Sequence, residues 1–162
     1  MDFNSDWFEH MEQILKEQAG LIKQEAEAMV ENYWAQIRER KRAGENEGRL
    51  GVRLIDREGY KLQIVWYRKR WVGPKHAKQL YSQPIPKGRH RNKYPAQRFT
   101  GFTEWEQELV EIFEDDFARL REASGAVADQ RKAMQRGKKA YIAMGYMSST
   151  SDDVDETEFA EV

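Results

Sequence analysis

Between Gly59 and Thr103 the chain carries eleven basic side chains and no acidic one: Lys61, Arg68, Lys69, Arg70, Lys75, Lys78, Lys87, Arg89, Arg91, Lys93 and Arg98. Eight rings are threaded among them, from Tyr60, Trp66, Tyr67, Trp71, Tyr81, Tyr94, Phe99 and Phe102. Cations at this density neutralise phosphates, and flat rings between them pack on sugars and bases. The chemistry such a stretch performs is therefore polyanion binding, nucleic acid first. The plainer alternative is a β-sheet with a basic rim and core aromatics beneath it.

Bond-breaking chemistry at a phosphodiester would be a natural companion, but the residues for it are out of register. A carboxylate-carboxylate-lysine metal nuclease wants Glu-x-Lys on one strand, whereas Gly59 and Tyr60 separate Glu58 from Lys61. That slip of one residue turns the lysine to the opposite face, so Asp56, Arg57, Glu58 and Gly59 are better explained as a turn. His10, His76 and His90 stand apart from one another and outside any His-x-x-x-His or His-Glu pair. Gly44, Gly48 and Gly51 lack the Gly-Lys-Ser/Thr ending of a phosphate-cradling loop. With no cysteine in the chain, disulfides, thiolate metal sites and cysteine nucleophiles are excluded. No catalytic residue, metal or cofactor is expected.

The elements that must position the basic stretch can be read from periodicity. The 162 residues carry 27 bases and 28 acids, a near balance that hides strong segregation. Behind alternative caps at Asn4, Ser5 and Asp6, an apolar stripe through Phe8, Met11, Leu15, Ile22, Met29, Tyr33 and Ile37 predicts a helix to about Arg42. Such a helix is longer than a small domain is wide. It must kink, with Gly20 as the candidate, project, or pair with another copy. Its three-and-four spacing is compatible with a coiled-coil homodimer, and equally with an ordinary amphipathic helix folded onto its own sheet.

From Arg49 the period changes to two. A first strand through Leu50, Val52 and Leu54 is followed by a second from Tyr60 to Val72, then a short edge strand from Gln79 to Ile85 bounded by Pro84 and Pro86. Pro86 to Pro95 is the most basic and least core-like segment, and is expected to be an exposed arm. Thr103 with Glu106 forms a capping box opening a second helix, secure to about Arg121 and interrupted at Gly125 before continuing to about Lys139. The first turns of that helix are acidic and the end of the first helix is basic. Antiparallel packing would bring the two together. The expected architecture is α+β, with one helix-sheet-helix domain over residues 1–146 and a disordered acidic tail over 147–162.

The segment Val65 to Trp71, the Pro-Ile-Pro-Lys-Gly run from Pro84 to Gly88, Tyr94-Pro95, and Trp105 to Leu109 leading on to Phe117-Ala118-Arg119-Leu120-Arg121 resemble the MobI-type conjugative mobilisation proteins, over roughly residues 50 to 122. The resemblance implies an accessory factor of integrative conjugative elements and related plasmids, acting at the origin of transfer beside a relaxase. It implies no catalytic residue.

The leading expectation is a non-enzymatic DNA-binding protein whose contacts are Arg68, Arg70, Lys87, Arg89, Arg91, Lys93 and Arg98, with double-stranded DNA and a relaxase as partners. The absence of a long apolar run and of a charged-then-apolar N-terminus points to the cytoplasm and away from membranes. Two alternatives stand beside it. One is a protein-interaction module docking a partner through its long helix and aromatic, basic sheet. The other is a double-stranded RNA-binding protein, against which stands the acidic start of the second helix. The acidic tail would compete with DNA for the basic arm, serve a partner protein, or only solubilise.

Overall fold

Two long helices and a three-stranded antiparallel sheet make up the protein, in a computed structural model that describes residues 5–46, 48–57, 60–89 and 91–148. In chain order the elements are α1 (Ser5–Arg42), β1 (Leu50–Arg57), β2 (Lys61–Val72), β3 (Gln79–Pro84), a short 3-10 turn (Ala96–Phe99) and α2 (Glu104–Ala143). The acidic segment from Ser149 onward lies outside the described residues, as do Asn4, Glu58, Gly59 and His90. α1 already includes Ser5 and Asp6, so of the three candidate caps these two are helical and Asn4 lies outside the described residues.

Neither glycine expected to break a helix does so. α1 passes through Gly20, and α2 runs unbroken through Gly125 and Gly137 for 40 residues. An isolated glycine costs a helix only about 1 kcal/mol, and α1, at 38 residues roughly 57 Å long, is backed by α2, which runs antiparallel beside it. Phe8 near the start of α1 meets Tyr141 near the end of α2 edge-to-face, Arg131 lies 3.5 Å from Glu12, and Arg40 reaches Glu108 at 3.3 Å. The last contact joins the basic end of α1 to the acidic start of α2. The apolar stripe of α1 is therefore covered within the chain, by α2 as well as by the sheet. Tyr33, toward its C-terminal end, is fully buried and donates its hydroxyl hydrogen to Leu50 O at 2.8 Å.

The sheet order is β1-β2-β3. Register places Leu50 opposite Arg68, Val52 opposite Trp66 and Leu54 opposite Ile64. Val52, Leu62, Ile64 and Trp66 thus share the face that packs under the helices, where they join Tyr33, Leu109, Phe113 and Phe117 in the core. Trp66 sits edge-on to Tyr33, Phe99 and Phe117 at once. Asp56 and Arg57 turn out to belong to β1, paired with Leu62 and Lys61, so the turn expected from Asp56 begins later. On the outer face the Tyr67 ring lies over Gly51, its partner across the ladder, and a side chain there would run into the ring. Among the described residues no helix is long and apolar enough to cross a membrane.

Candidate nucleic-acid interface

The basic loop after β3 is fixed by a carboxylate from the acidic run that opens α2. Glu114 is buried on α2. Its Oε2 accepts from Trp66 Nε1 at 2.6 Å, and its Oε1 from the Tyr94 amide at 2.9 Å and from Arg121 Nη1 at 2.6 Å. Arg121, two turns on, donates from Nε to Ile64 O at 3.0 Å and from Nη1 to Asn92 O at 2.7 Å, with the Tyr94 ring 4.9 Å from its guanidinium. A buried ion pair is costly unless its remaining lone pairs and protons are satisfied, and here they are. Ser124, one turn beyond, accepts from the Leu62 amide at 2.8 Å. Together Arg121 and Ser124 occupy backbone groups on the edge of β2 that β3 does not reach. Glu106 acts likewise at the other end, accepting from the amides of Arg49 and Leu50 while closing the capping box with Thr103.

The segment from Pro86 to Pro95 is therefore no free arm. Ile85 and Tyr94 are buried at its two ends, Asn92 and Tyr94 are held by α2, and between them the basic side chains of Arg89 and Arg91 are exposed. Lys87, Arg89, Arg91 and Arg98 line one open hollow of about 510 Å³ with Gly88, Pro95 and Gln97. Arg98 and Gln97 form its shared wall with a second hollow of about 300 Å³, which Arg68 lines with Phe102 and Gln83. Arg68 itself lies over the Phe102 ring, its guanidinium carbon 4.4 Å from the centroid. Lys87 and Arg91 form the other wall, beyond which a hollow of about 630 Å³ adds Lys61, Arg121 and Lys132. Among the described residues, Asp129 is the one acid that lines any of the three.

Five of the seven sequence-derived contact residues are thus brought onto one contiguous face: Arg68, Lys87, Arg89, Arg91 and Arg98. Arg70 lies further along the same face of β2 as Arg68, with Nη1 donating to Gln83 Oε1 at 3.1 Å. Lys93 lines a neighbouring hollow with Arg91 and Pro95, but its ammonium is engaged by Asp115 of α2, a contact that raises the lysine pKa and lowers that of the carboxyl. Lys61, one of the eleven bases, and Lys132, from a second basic cluster in the sequence with Arg131, Arg136, Lys138 and Lys139, belong to the face but are not among the expected contacts. Lys132 in particular is separated from the loop by some 40 residues of sequence, and only the antiparallel return of α2 brings it near. Lys87 is half-buried, and its pKa is pushed down by burial, by Arg121 and by Lys61, against an opposing pull from Glu114. A lysine held next to other cations in this way is stabilised by any anion that arrives.

Of the rings interleaved with these bases, Trp66, Tyr94, Phe99 and Phe102 are core residues, while Trp71 and Tyr81 are exposed. The basic-rim alternative thus holds for half of the ring set. Among the described residues no three His, Asp or Glu side chains come close enough to hold a metal ion.

The family model described as MobI protein matches residues 22–135, well over half of the chain. No curated protein and no solved structure matches it.

Proposed function

The chain belongs to the MobI family, and on that premise we propose that it is a non-enzymatic accessory protein of conjugative DNA mobilisation that binds duplex DNA at the origin of transfer and works beside a relaxase. The observation that carries the DNA reading is the continuous basic face from Arg68 through Arg98 to Lys87, Arg89 and Arg91, extended by Lys61 and Lys132. Phosphate contacts along this face set affinity and orientation, and the exposed loop side chains Arg89 and Arg91 reach into a groove to add discrimination. The rigid mounting of the loop on Glu114 and Arg121 favours this use, because a pre-ordered loop loses less entropy on binding than a free one.

The test is a titration of purified protein against duplex fragments of its own replicon over a range of salt. With about six phosphates neutralised, log affinity falls against log salt with a slope near -5. Fragments spanning the origin of transfer bind more tightly than random duplex. Affinity that does not change with salt overturns the DNA reading, and equal affinity for all fragments overturns the assignment to the origin.

A further inference from the structure

Strands β2 and β3 run on past the end of β1. β1 begins at Leu50 opposite Arg68, and the amide of Lys69 still reaches Arg49 O at 2.7 Å. Beyond that point Arg70 to Val72 pair with β3 alone, opposite Gln79 to Tyr81. This end of the hairpin is a two-stranded ribbon with both faces in solvent. Alternation places Trp71 beside Leu80 on one face and Tyr81 beside Arg70 on the other. Trp71 is 66% exposed, Tyr81 64%, and Leu80 and Val72 52% each. Apolar side chains gathered at one exposed tip mark an interaction site far more often than chance surface.

Charge decides what that site takes. Arg70 lies on β2 next to Trp71, Lys75 and Lys78 stand in the connection from β2 to β3, no acid occurs anywhere in the segment, and among the described residues no carboxylate pairs with any of the three. A polyanion with accessible apolar faces answers both features. Duplex DNA supplies the charge but hides its base faces in the stack, whereas a single strand offers both. The face bearing Tyr81 and Arg70 also continues through Gln83 and Arg68 into the hollow that Arg98 lines.

We propose that the free end of the β2–β3 hairpin is a binding site for single-stranded nucleic acid, in which Trp71 and Tyr81 each stack on an unpaired base while Arg70, Lys75 and Lys78 contact the phosphates. The proposal deepens the DNA-binding reading and rests on it, by giving the same protein a second, unpaired substrate next to its duplex face. Binding a duplex with a single-stranded overhang then engages both surfaces at once, and its affinity exceeds that for either piece alone.

The experiment measures binding of full-length protein to a fluorescent oligothymidylate, to a blunt duplex and to the duplex carrying an oligothymidylate overhang. Trp71→Ala and Tyr81→Ala are compared with wild type and with Arg89→Ala/Arg91→Ala, after thermal melts establish that each is folded. The proposal expects each ring substitution to weaken oligothymidylate binding on the order of tenfold, to leave blunt-duplex binding unchanged, and to abolish the advantage of the overhang. Trp71→Phe retains most of the affinity, and the double arginine variant shows the opposite preference, losing duplex binding most. Wild-type protein that ignores oligothymidylate, or ring variants that bind it as well as wild type, overturn the proposal. So does an equal loss on both substrates, which would make the tip a duplex-reading element. Ring-sensitive oligothymidylate binding without duplex binding sinks the duplex reading and leaves this one standing.

Discussion

Arg121 Nη1 lies 2.6 Å from Glu114 Oε1, two turns away on the same helix, with 5% and 3% of the side chains exposed. Neither group has water to fall back on. The pair also holds the Trp66 indole, the Tyr94 amide and the backbone of Ile64 and Asn92, so it joins α2 to the sheet and to the basic loop at one point. Glu114→Gln keeps the shape but leaves a buried guanidinium uncompensated, and its cost to folding is about 3–5 kcal/mol. Glu114→Leu combined with Arg121→Met costs less than the sum of the two single changes, because neither charge is then stranded. Urea denaturation of the four proteins measures the coupling, and simple additivity would refute a direct pair.

On the basic loop the prediction separates residues that lie side by side in sequence. Arg89→Ala with Arg91→Ala removes two exposed cations that line the central hollow, so the fold is kept and duplex affinity drops. The salt slope becomes shallower by roughly two. Lys93→Ala alone has a smaller effect, since its ammonium is engaged by Asp115. Asp115→Asn frees that ammonium and strengthens binding at low salt. Fluorescence anisotropy over salt reads all three, and an effect of Lys93→Ala as large as that of the arginine pair would show the loop to be held differently in the complex.

The order of elements was legible in the sequence because the period changed from helical to alternating at Arg49 and because Thr103 and Glu106 stand at capping-box spacing, which the structure forms. Proline at position 84 correctly held β3 to an edge. The hold of Glu106 on the start of β1 and the role of Glu114 were not legible. Both belong to an acidic run on α2, and only burial against β2 and the loop distinguishes them from exposed Glu108 and Glu111. The continuity of both helices was hidden for a related reason. A glycine costs a helix only about 1 kcal/mol, and the packing of α1 along α2 outweighs it. Arg68, Lys87, Arg89, Arg91 and Arg98 could be found from charge alone, whereas Lys132 needed the return of α2.

Covering of the α1 stripe by α2 changes what substitutions on it should do. Tyr33 is sealed in the core, where burial raises its pKa and its hydroxyl satisfies Leu50 O. Tyr33→Phe leaves that carbonyl without its donor and costs about 1–2 kcal/mol of stability. Tyr33→Asp buries a charge with no partner and unfolds the protein. Circular dichroism and sedimentation together make the distinction: a folded monomer from Tyr33→Asp would show that the stripe serves a dimer seam, while loss of helix signal follows from the arrangement described.

Lys87 carries the opposition between stability and binding. Burial, Arg121 and Lys61 hold its pKa below the ordinary lysine value of 10.5. Between that lowered value and 10.5 the unfolded chain binds more protons than the folded one, so stability rises with pH across this window. Below the window the full penalty of the buried charge applies. Lys87→Met keeps the stem and removes the charge. The variant is more stable than wild type at neutral pH and loses this rise on the alkaline side. Its duplex affinity is nevertheless lower, with a salt slope shallower by about one. Added inorganic phosphate stabilises wild type more than the variant, since only wild type has the extra cation to neutralise. Thermal melts across pH and phosphate concentration, set beside a salt titration of duplex binding, test both halves. A variant that is less stable than wild type, or that binds duplex with an unchanged slope, would mean that Lys87 is held by its neighbours for structure and does not face the nucleic acid.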